Sequence, residues 1–225
     1  MKPSALVCLS GGLDSAVSLL WAKKEYKNLS SLFFNYKQKA LIQERKASKY
    51  FAKLVGAEFI EINLGFLGDA SNSSLNKDDQ SVPSGDEVRI GNKKISVKTA
   101  KSVWVPNRNG LFISVAASMA EARNIDEVVL GFNKEEALTF PDNSRAFVKK
   151  TNEALKLSTK NQVRVVSPTI DLDKIEIFNL GLKLGLDSEK VWSCYKSGES
   201  ICGECESCKR FLRAKKESKV LKGNS

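Results

Sequence analysis

No histidine occurs anywhere in the 225 residues of this chain, and that absence removes several chemistries at once. A Ser-His-Asp triad, a histidine general base and a mixed Cys/His metal site are all excluded. Any catalysis must draw on carboxylates, lysines, amides, activated phosphate and metal ions. Long apolar runs are lacking too, since no stretch approaches the roughly 20 residues a membrane helix needs. The N-terminus carries one lysine and a short apolar segment running into Gly11-Gly12, unlike a secretory signal. A cytoplasmic location with no membrane partner is expected. The phosphate-binding spacing G-x-x-x-x-G-K-[ST] is also missing.

What remains is an ordinary globular composition, 42% hydrophobic and 28% charged, long enough for one substantial domain with an appendage. The formal charge of +10 suits a polyanionic partner, either ATP and pyrophosphate or a tRNA. Much of it falls on helix faces (Lys23, Lys24, Lys27; Arg45, Lys46, Lys49) and on a tail carrying Lys209, Arg210, Arg213, Lys215 and Lys216. These read as solvated surface, so nucleic acid is the less favoured partner.

The most informative stretch is Ser10-Gly11-Gly12-Leu13-Asp14-Ser15. The apolar run Ala5–Leu9 before it reads as a buried strand, and Ala16–Ala22 after it as a helix. Two glycines let backbone N–H groups close on an anion. Two hydroxyls and a carboxylate stand at the helix mouth, where partial positive charge collects. A plain Gly-rich β–α turn with a capping Asp remains the alternative.

Alternation continues with a strand at Leu29–Phe34, a helix at Ala40–Val55 and a strand at Phe59–Leu64. Helices at Asn109–Arg123, Arg145–Leu157 and Lys174–Leu184, and strands at Glu127–Leu130 and Val163–Ser167, follow. Such spacing implies right-handed crossovers, hence an α/β fold with a doubly wound, Rossmann-like parallel sheet. Residues 1–187 form that domain, with 65–106 as a lid or binding insertion. Within the insertion, Glu87–Ile90 and Lys94–Val97 flank Gly91-Asn92 as a plausible hairpin.

Residues 188–225 form a small C-terminal module and basic tail. Four of the five cysteines fall here, Cys194, Cys202, Cys205 and Cys208, spaced C-x7-C-x2-C-x2-C. Two-residue gaps let successive thiolates converge on one metal, and four soft ligands suit tetrahedral Zn²⁺ in a closed, structural site. An iron–sulfur cluster is the competing reading. Cys8 reads as a small core hydrophobe.

Together the loop and the cysteines resemble the 7-cyano-7-deazaguanine (preQ0) synthase family of the ATP pyrophosphatase superfamily, whose sheets are adenine nucleotide alpha hydrolase-like. Val105-Pro106-Asn107-Arg108-Asn109 is similar to the family's V-P-x-R-N. Gly131-Phe132-Asn133 with Phe140-Pro141-Asp142 is similar to its G-x-N…Y-P-D, and Ser167-Pro168 with Lys174 to its T-P…K. Two stretches depart. Asn35-Tyr36-Lys37-Gln38-Lys39 stands where the family has D-Y-G-Q-R-H, and Phe140-Pro141-Asp142-Asn143-Ser144 where it has Y-P-D-C-R.

The resemblance implies an ATP-dependent C–N ligase that joins 7-carboxy-7-deazaguanine and ammonia through adenylated intermediates. It implies ATP with Mg²⁺ as co-substrate, one Zn²⁺ per chain and a homodimer. Leu9, Ser10, Gly11, Gly12, Leu13, Asp14, Ser15, Ala16, Val17, Ser18 and Leu19 would meet the nucleotide. Ser10, Asp14, Ser15 and Arg108 would act catalytically, and Arg108, Asn109, Asn133, Glu136 and Asp142 would contact the deazaguanine acid. For Arg108 a surface ion pair, and for Asn133, Glu136 and Asp142 a capping or turn role, stay open. Lys174 is as compatible with a surface helix turn as with ATP. Alternatives for the whole chain are a relative using another amine, a tRNA-modifying adenylating enzyme, and a zinc-stabilised nucleotide sensor without turnover.

Overall fold

The computed structural model describes residues 2–218, for residue 93 the backbone only; residues 219–225 of the expected basic tail lie outside them. Five strands, β1 (Lys2–Cys8), β2 (Tyr26–Asn35), β3 (Glu58–Asn63), β4 (Glu127–Val129) and β5 (Arg164–Val166), form one sheet in the order β3-β2-β1-β4-β5. Every adjacent pair is parallel. Helices α1 (Leu13–Glu25) and α2 (Leu41–Val55) alternate with the first strands. They are followed by α3 (Gly65–Ala70), α4 (Lys93–Ser102), α5 (Arg108–Ala122), α6 (Lys134–Ala137), α7 (Arg145–Ser158), α8 (Lys174–Lys183) and α9 (Glu206–Glu217).

Both faces of the sheet are covered, as a parallel sheet requires. Leu6, Leu32, Val128 and Val165 pack with Ile113, Ala116 and Ala120 of α5 and Leu155 of α7. Ala5, Val7 and Val129 pack on the other side with α1, α2 and α8 through Val17, Phe51 and Phe178. β1 therefore reads as a run of apolar residues, Ala5, Leu6 and Val7, each fully buried. From β1 the chain winds outward through β2 and β3, then crosses back to build β4 and β5 on the opposite side. The reversal leaves a crevice past the carboxyl ends of β1 and β4, the place where open α/β sheets bind ligands. No helix among the described residues is long and apolar enough to cross a membrane.

Two expectations are corrected. The hairpin over residues 87–97 is not formed: Gly85–Glu87 is a single 3₁₀ turn and residues 93–102 are helical. Asn92 accepts the Ile95 N–H at 3.2 Å and so starts α4 rather than turning a hairpin. Ser96, Thr99, Ala100 and Val103 then share the buried face while Lys94, Lys98 and Lys101 point outward. The basic segment after Cys208 is also more than solvated surface. It is the helix α9, which packs on α8 with Phe211 tilted against Phe178 at 5.9 Å.

Candidate functional site

The loop after β1 delivers the helix mouth into the crevice. Gly12 is the N-cap of α1, and no side chain caps that terminus, so its first N–H groups stay available to an anion. Gly11 has φ of +78°, and a Cβ there would stand 2.6 Å from the Ala47 Cβ and 3.0 Å from the Glu44 carbonyl oxygen. The loop is thus wedged against α2. Ser15 donates its hydroxyl to the Gly12 carbonyl at 3.1 Å and accepts the Ser10 N–H at 3.2 Å. The Ser10 and Ser15 hydroxyl oxygens are 3.1 Å apart. From the far side, Gly131 at the end of β4 lets the first turn of α1 come close: a Cβ there would lie 2.7 Å from the Ser15 nitrogen.

A contrast between glycines follows. Gly131→Ala is expected to cost about 1–3 kcal/mol in urea unfolding, the usual range for a forced backbone shift, and to weaken nucleotide binding. Gly12→Ala, whose Cβ would meet nothing nearer than 3.5 Å, should leave unfolding nearly unchanged.

Asp14, in the first turn of α1, is the hub of a buried charge cluster. Its Oδ2 accepts from Lys174 Nζ at 2.5 Å and from the Asn133 amide at 3.2 Å. Lys174 also donates to Glu136 Oε1 at 2.5 Å. Lys174 is only 6% exposed and Asn133 fully buried, so the surface alternative for Lys174 does not hold. Burial pushes the Asp14 carboxyl up to about 6 despite the pull of the Lys174 charge. Burial also works against the Lys174 ammonium, but the two carboxylates hold it above its ordinary range. At Glu136 the cost of burial is outweighed by Lys174 and the Asn133 hydrogen bond, leaving it below the usual carboxylate range. Asp14 Oδ1 is buried with no partner. An unsatisfied carboxylate oxygen at an uncapped helix mouth fits a cation ligand.

Glu135, next in α6, ties this cluster to α9. It accepts the Lys174 backbone N–H at 3.0 Å and pairs with Arg210 at 2.5 Å and Arg213 at 2.6 Å. Charges that read as tail surface in the sequence are here partly buried clamps.

Around the loop lies a cavity of about 250 Å³, lined by Leu9, Ser10, Gly12, Leu13, Asp14 and Ser15 on one side and by Arg108, Asn109, Glu136 and Lys174 on others. Gly11, Ala16, Val17, Ser18 and Leu19 do not line it. The last four are fully buried, because one turn into α1 the side chains face the core. Asn133 and Asp142 are also set back from the wall, unlike Asn143. Asn133 caps α6, accepting the Glu136 N–H at 2.9 Å. The Arg108 guanidinium packs over the Tyr36 ring at 5.9 Å and donates to its hydroxyl at 3.4 Å. Burial opposes its charge, yet Tyr36 and the neighbouring Asp142 hold it above its usual value. Cys8 packs against the core and also lines the cavity, and burial pushes its thiol up to about 12, which keeps it neutral and unreactive. Glu44 and Gln38, which the sequence did not single out, also line the wall.

Residues 35–39, where the motif departs, border the cavity through Tyr36 and Gln38. Lys37 takes φ of +59°, the left-handed region glycine would occupy freely, and its ammonium pairs with Asp69 at 2.6 Å. Gln38 lines the cavity wall.

Ahead of α9 and in its first turn, the four sulfurs of Cys194, Cys202, Cys205 and Cys208 all lie within 4.8 Å of one another. Cys202 and Cys208 are 3.9 Å apart at sulfur. Four thiolates around one tetrahedral ion at roughly 2.3 Å stand roughly 3.8 Å from each other, whereas a four-iron cluster holds them much farther apart. Backbone N–H groups of Lys196 and Cys202 point at Cys194 Sγ at 3.3 and 3.5 Å, as suits a thiolate. The set fits a single metal ion.

A protein-family model described as queuosine biosynthesis protein QueC matches residues 4–219. The chain belongs to the QueC family. The match runs through both the Ser10–Ser15 turn and the four cysteines. The 7-cyano-7-deazaguanine synthase of Carboxydothermus hydrogenoformans is 46% identical over 212 residues, spanning 94% of this chain and 97% of that protein. That of Bdellovibrio bacteriovorus is 47% identical over 210 residues, spanning 93% and 91%. Among solved structures, the predicted subunit of tRNA methyltransferase from Methanocaldococcus jannaschii has a TM-score of 0.50 at 15% identity, covering 96% of this chain and 89% of that one. That likeness speaks to the fold alone. As a QueC protein matched along its length by synthases, the chain is an enzyme.

Proposed function

We propose that this enzyme is an ATP-dependent C–N ligase converting 7-carboxy-7-deazaguanine and ammonia into 7-cyano-7-deazaguanine (preQ0). The observation that carries this reading is the uncapped N-terminus of α1, opening on a cavity that also holds Arg108 and the Asp14–Lys174–Glu136 cluster. The full-length match to synthases of that name supports the substrate.

The chemical obstacle is the leaving group, since a carboxylate oxygen does not depart when ammonia attacks. In our reading the substrate carboxylate attacks the α-phosphorus of ATP, the bond to the bridging oxygen breaks, and pyrophosphate leaves into the Ser10–Ser15 turn. Backbone N–H groups of Gly12 and Leu13 and the Ser10 and Ser15 hydroxyls receive it as charge develops there. Ammonia then displaces AMP to give the amide. A second adenylation on the amide oxygen lets AMP leave as the C≡N bond forms.

Asp14, with Oδ1 free and Oδ2 fixed by Lys174 and Asn133, would hold Mg²⁺; that ion, when bound, neutralises phosphate charge. Arg108 and Asn109 would contact the deazaguanine acid or the phosphates. Glu136, in the wall, would hold Lys174 and stay within reach of the acid, while Asn133 and Asp142 would act from behind it by holding Asp14 and Arg108 in position. We assign the four thiolates to Zn²⁺ in a structural role, because all four coordination positions are then filled. Thiolates in this state belong to a reducing compartment, and we place the enzyme in the cytoplasm.

The test is pyrophosphate release. It should require both 7-carboxy-7-deazaguanine and ammonium, and Asp14→Asn should lower it at least about tenfold, or 1.4 kcal/mol in the barrier, with an unchanged fold. ADP and phosphate as products, release that requires tRNA, or normal turnover in Asp14→Asn would each refute it.

A further inference from the structure

Each carboxylate of the buried Asp14 cluster is matched by a cation: Asp14 and Glu136 by Lys174, and Glu135 by Arg210 and Arg213. Glu44 is not. It rises from the first turn of α2 into the cavity, beside the loop glycine Gly11, and among the described residues it makes no ion pair. Its one hydrogen-bond donor is neutral, the Gln38 amide at 2.8 Å from Oε2. Gln38 cannot swing away. Its oxygen accepts the Tyr36 N–H at 2.9 Å and its nitrogen also donates to the Phe34 carbonyl at 3.0 Å. The cation facing Glu44 from α5 is Arg108, whose guanidinium is engaged with Tyr36. Burial pushes the Glu44 carboxyl up to about 7, which suits a group that takes up and releases a proton near neutrality. Phe33, Phe34 and Tyr36 also line the cavity, and aromatic faces favour a small cation.

The proposed ligase needs such a site. Its nitrogen donor exists in neutral water mainly as ammonium, which has no lone pair and cannot attack. We propose that Glu44 is the ammonium-binding catalytic residue, which takes a proton from the bound ion and frees ammonia for attack on the adenylated carboxyl. This inference rests on the ligase reading above. In the step, an N–H bond of ammonium breaks and its proton goes to a Glu44 oxygen. The released electron pair forms the C–N bond at the acyl carbon, and the C–O bond to AMP breaks with its electrons leaving on AMP. The second proton shed by the new amide nitrogen leaves on the AMP phosphate.

Hydroxylamine provides the decisive probe, because it is already neutral and nucleophilic at pH 7. Two reactions are compared in Glu44→Gln and the unmodified enzyme: ATP–pyrophosphate exchange driven by the acid alone, and product formation with ammonium or hydroxylamine. Glu44→Gln should exchange pyrophosphate like the unmodified enzyme, which also reports an intact fold. It should lose at least about a hundredfold in ammonium-dependent turnover, the lower range for removing a general base. Hydroxylamine should restore hydroxamate formation close to the unmodified rate, and Glu44→Asp should recover part of the ammonium reaction. Unchanged ammonium turnover in Glu44→Gln overturns the assignment. So does an equal loss of exchange and of both nucleophile reactions, which would make Glu44 a binder of the acid or nucleotide. Absence of exchange in the unmodified enzyme instead brings down the ligase reading itself, and this inference with it.

Discussion

Lys174→Met abolishes pyrophosphate release and costs about 3–5 kcal/mol of stability at pH 8, the range for breaking a buried ion pair from one side. The side chain is 8% exposed, and its ammonium is shared by Asp14 and Glu136 at 2.5 Å each. Methionine fills the volume but leaves two buried carboxylates without a counter-charge. Both carboxyls then titrate above their unfolded values, so the native state binds more protons than the unfolded chain in that interval. Stability therefore falls as pH rises. Even in the unmodified protein the Asp14 carboxyl sits at about 6, so its contribution is present below the ordinary carboxylate range and lost as pH passes 6. The deficit in Lys174→Met should accordingly be large at pH 8 and shrink towards pH 5, as read by urea unfolding at both values. A deficit independent of pH would mean that the lysine matters for packing and not for charge.

The second large effect is metal loss. Chelation, or Cys205→Ser, is expected to lower the melting temperature by roughly 10–20 °C. Structural zinc contributes about 10–16 kcal/mol in isolated zinc-finger peptides. Even about 5 kcal/mol produces that shift in a chain of this size, at roughly 2–4 °C per kcal/mol. The reason lies in where the thiols sit. Cys194, Cys205 and Cys208 belong to the apolar cluster under α5, and Cys205 is the N-cap of α9. Releasing them loosens α9, and with it the Arg210 and Arg213 grip on Glu135. Turnover should therefore fall in step with bound metal. Calorimetry with metal analysis checks this: one zinc per colourless chain is expected, and an unaltered melting temperature after complete metal removal would refute the structural role.

The sheet was legible because its strands are buried on both faces and so read as short apolar runs between helix-length periodic stretches. The glycine turn at the head of α1 and the convergence of the four cysteines were legible because each is local, with its residues a few positions apart. Less legible were features assembled from distant segments. Glu44 looks like any acidic residue in the first turn of an exposed helix until Gly11 brings that turn against the cavity. Lys174 meets Asp14 across the whole domain, and no spacing rule links them. Residues 87–97 misled because Gly91-Asn92 serves equally as a hairpin turn and as a turn with a helix cap, and tertiary burial of Ser96, Thr99 and Ala100 decided for the helix. Asn133 and Asp142 were placed in the right neighbourhood, but the structure sets them one layer back from the wall.

The order in which the chain leaves the ribosome gives the Asp14–Lys174 contact a further meaning. Asp14 of the Ser10–Ser15 turn is synthesised 160 residues ahead of its basic partner. The arginines that brace it come later still, with α9. A polypeptide that ends before Lys174 therefore carries the turn without its counter-charge.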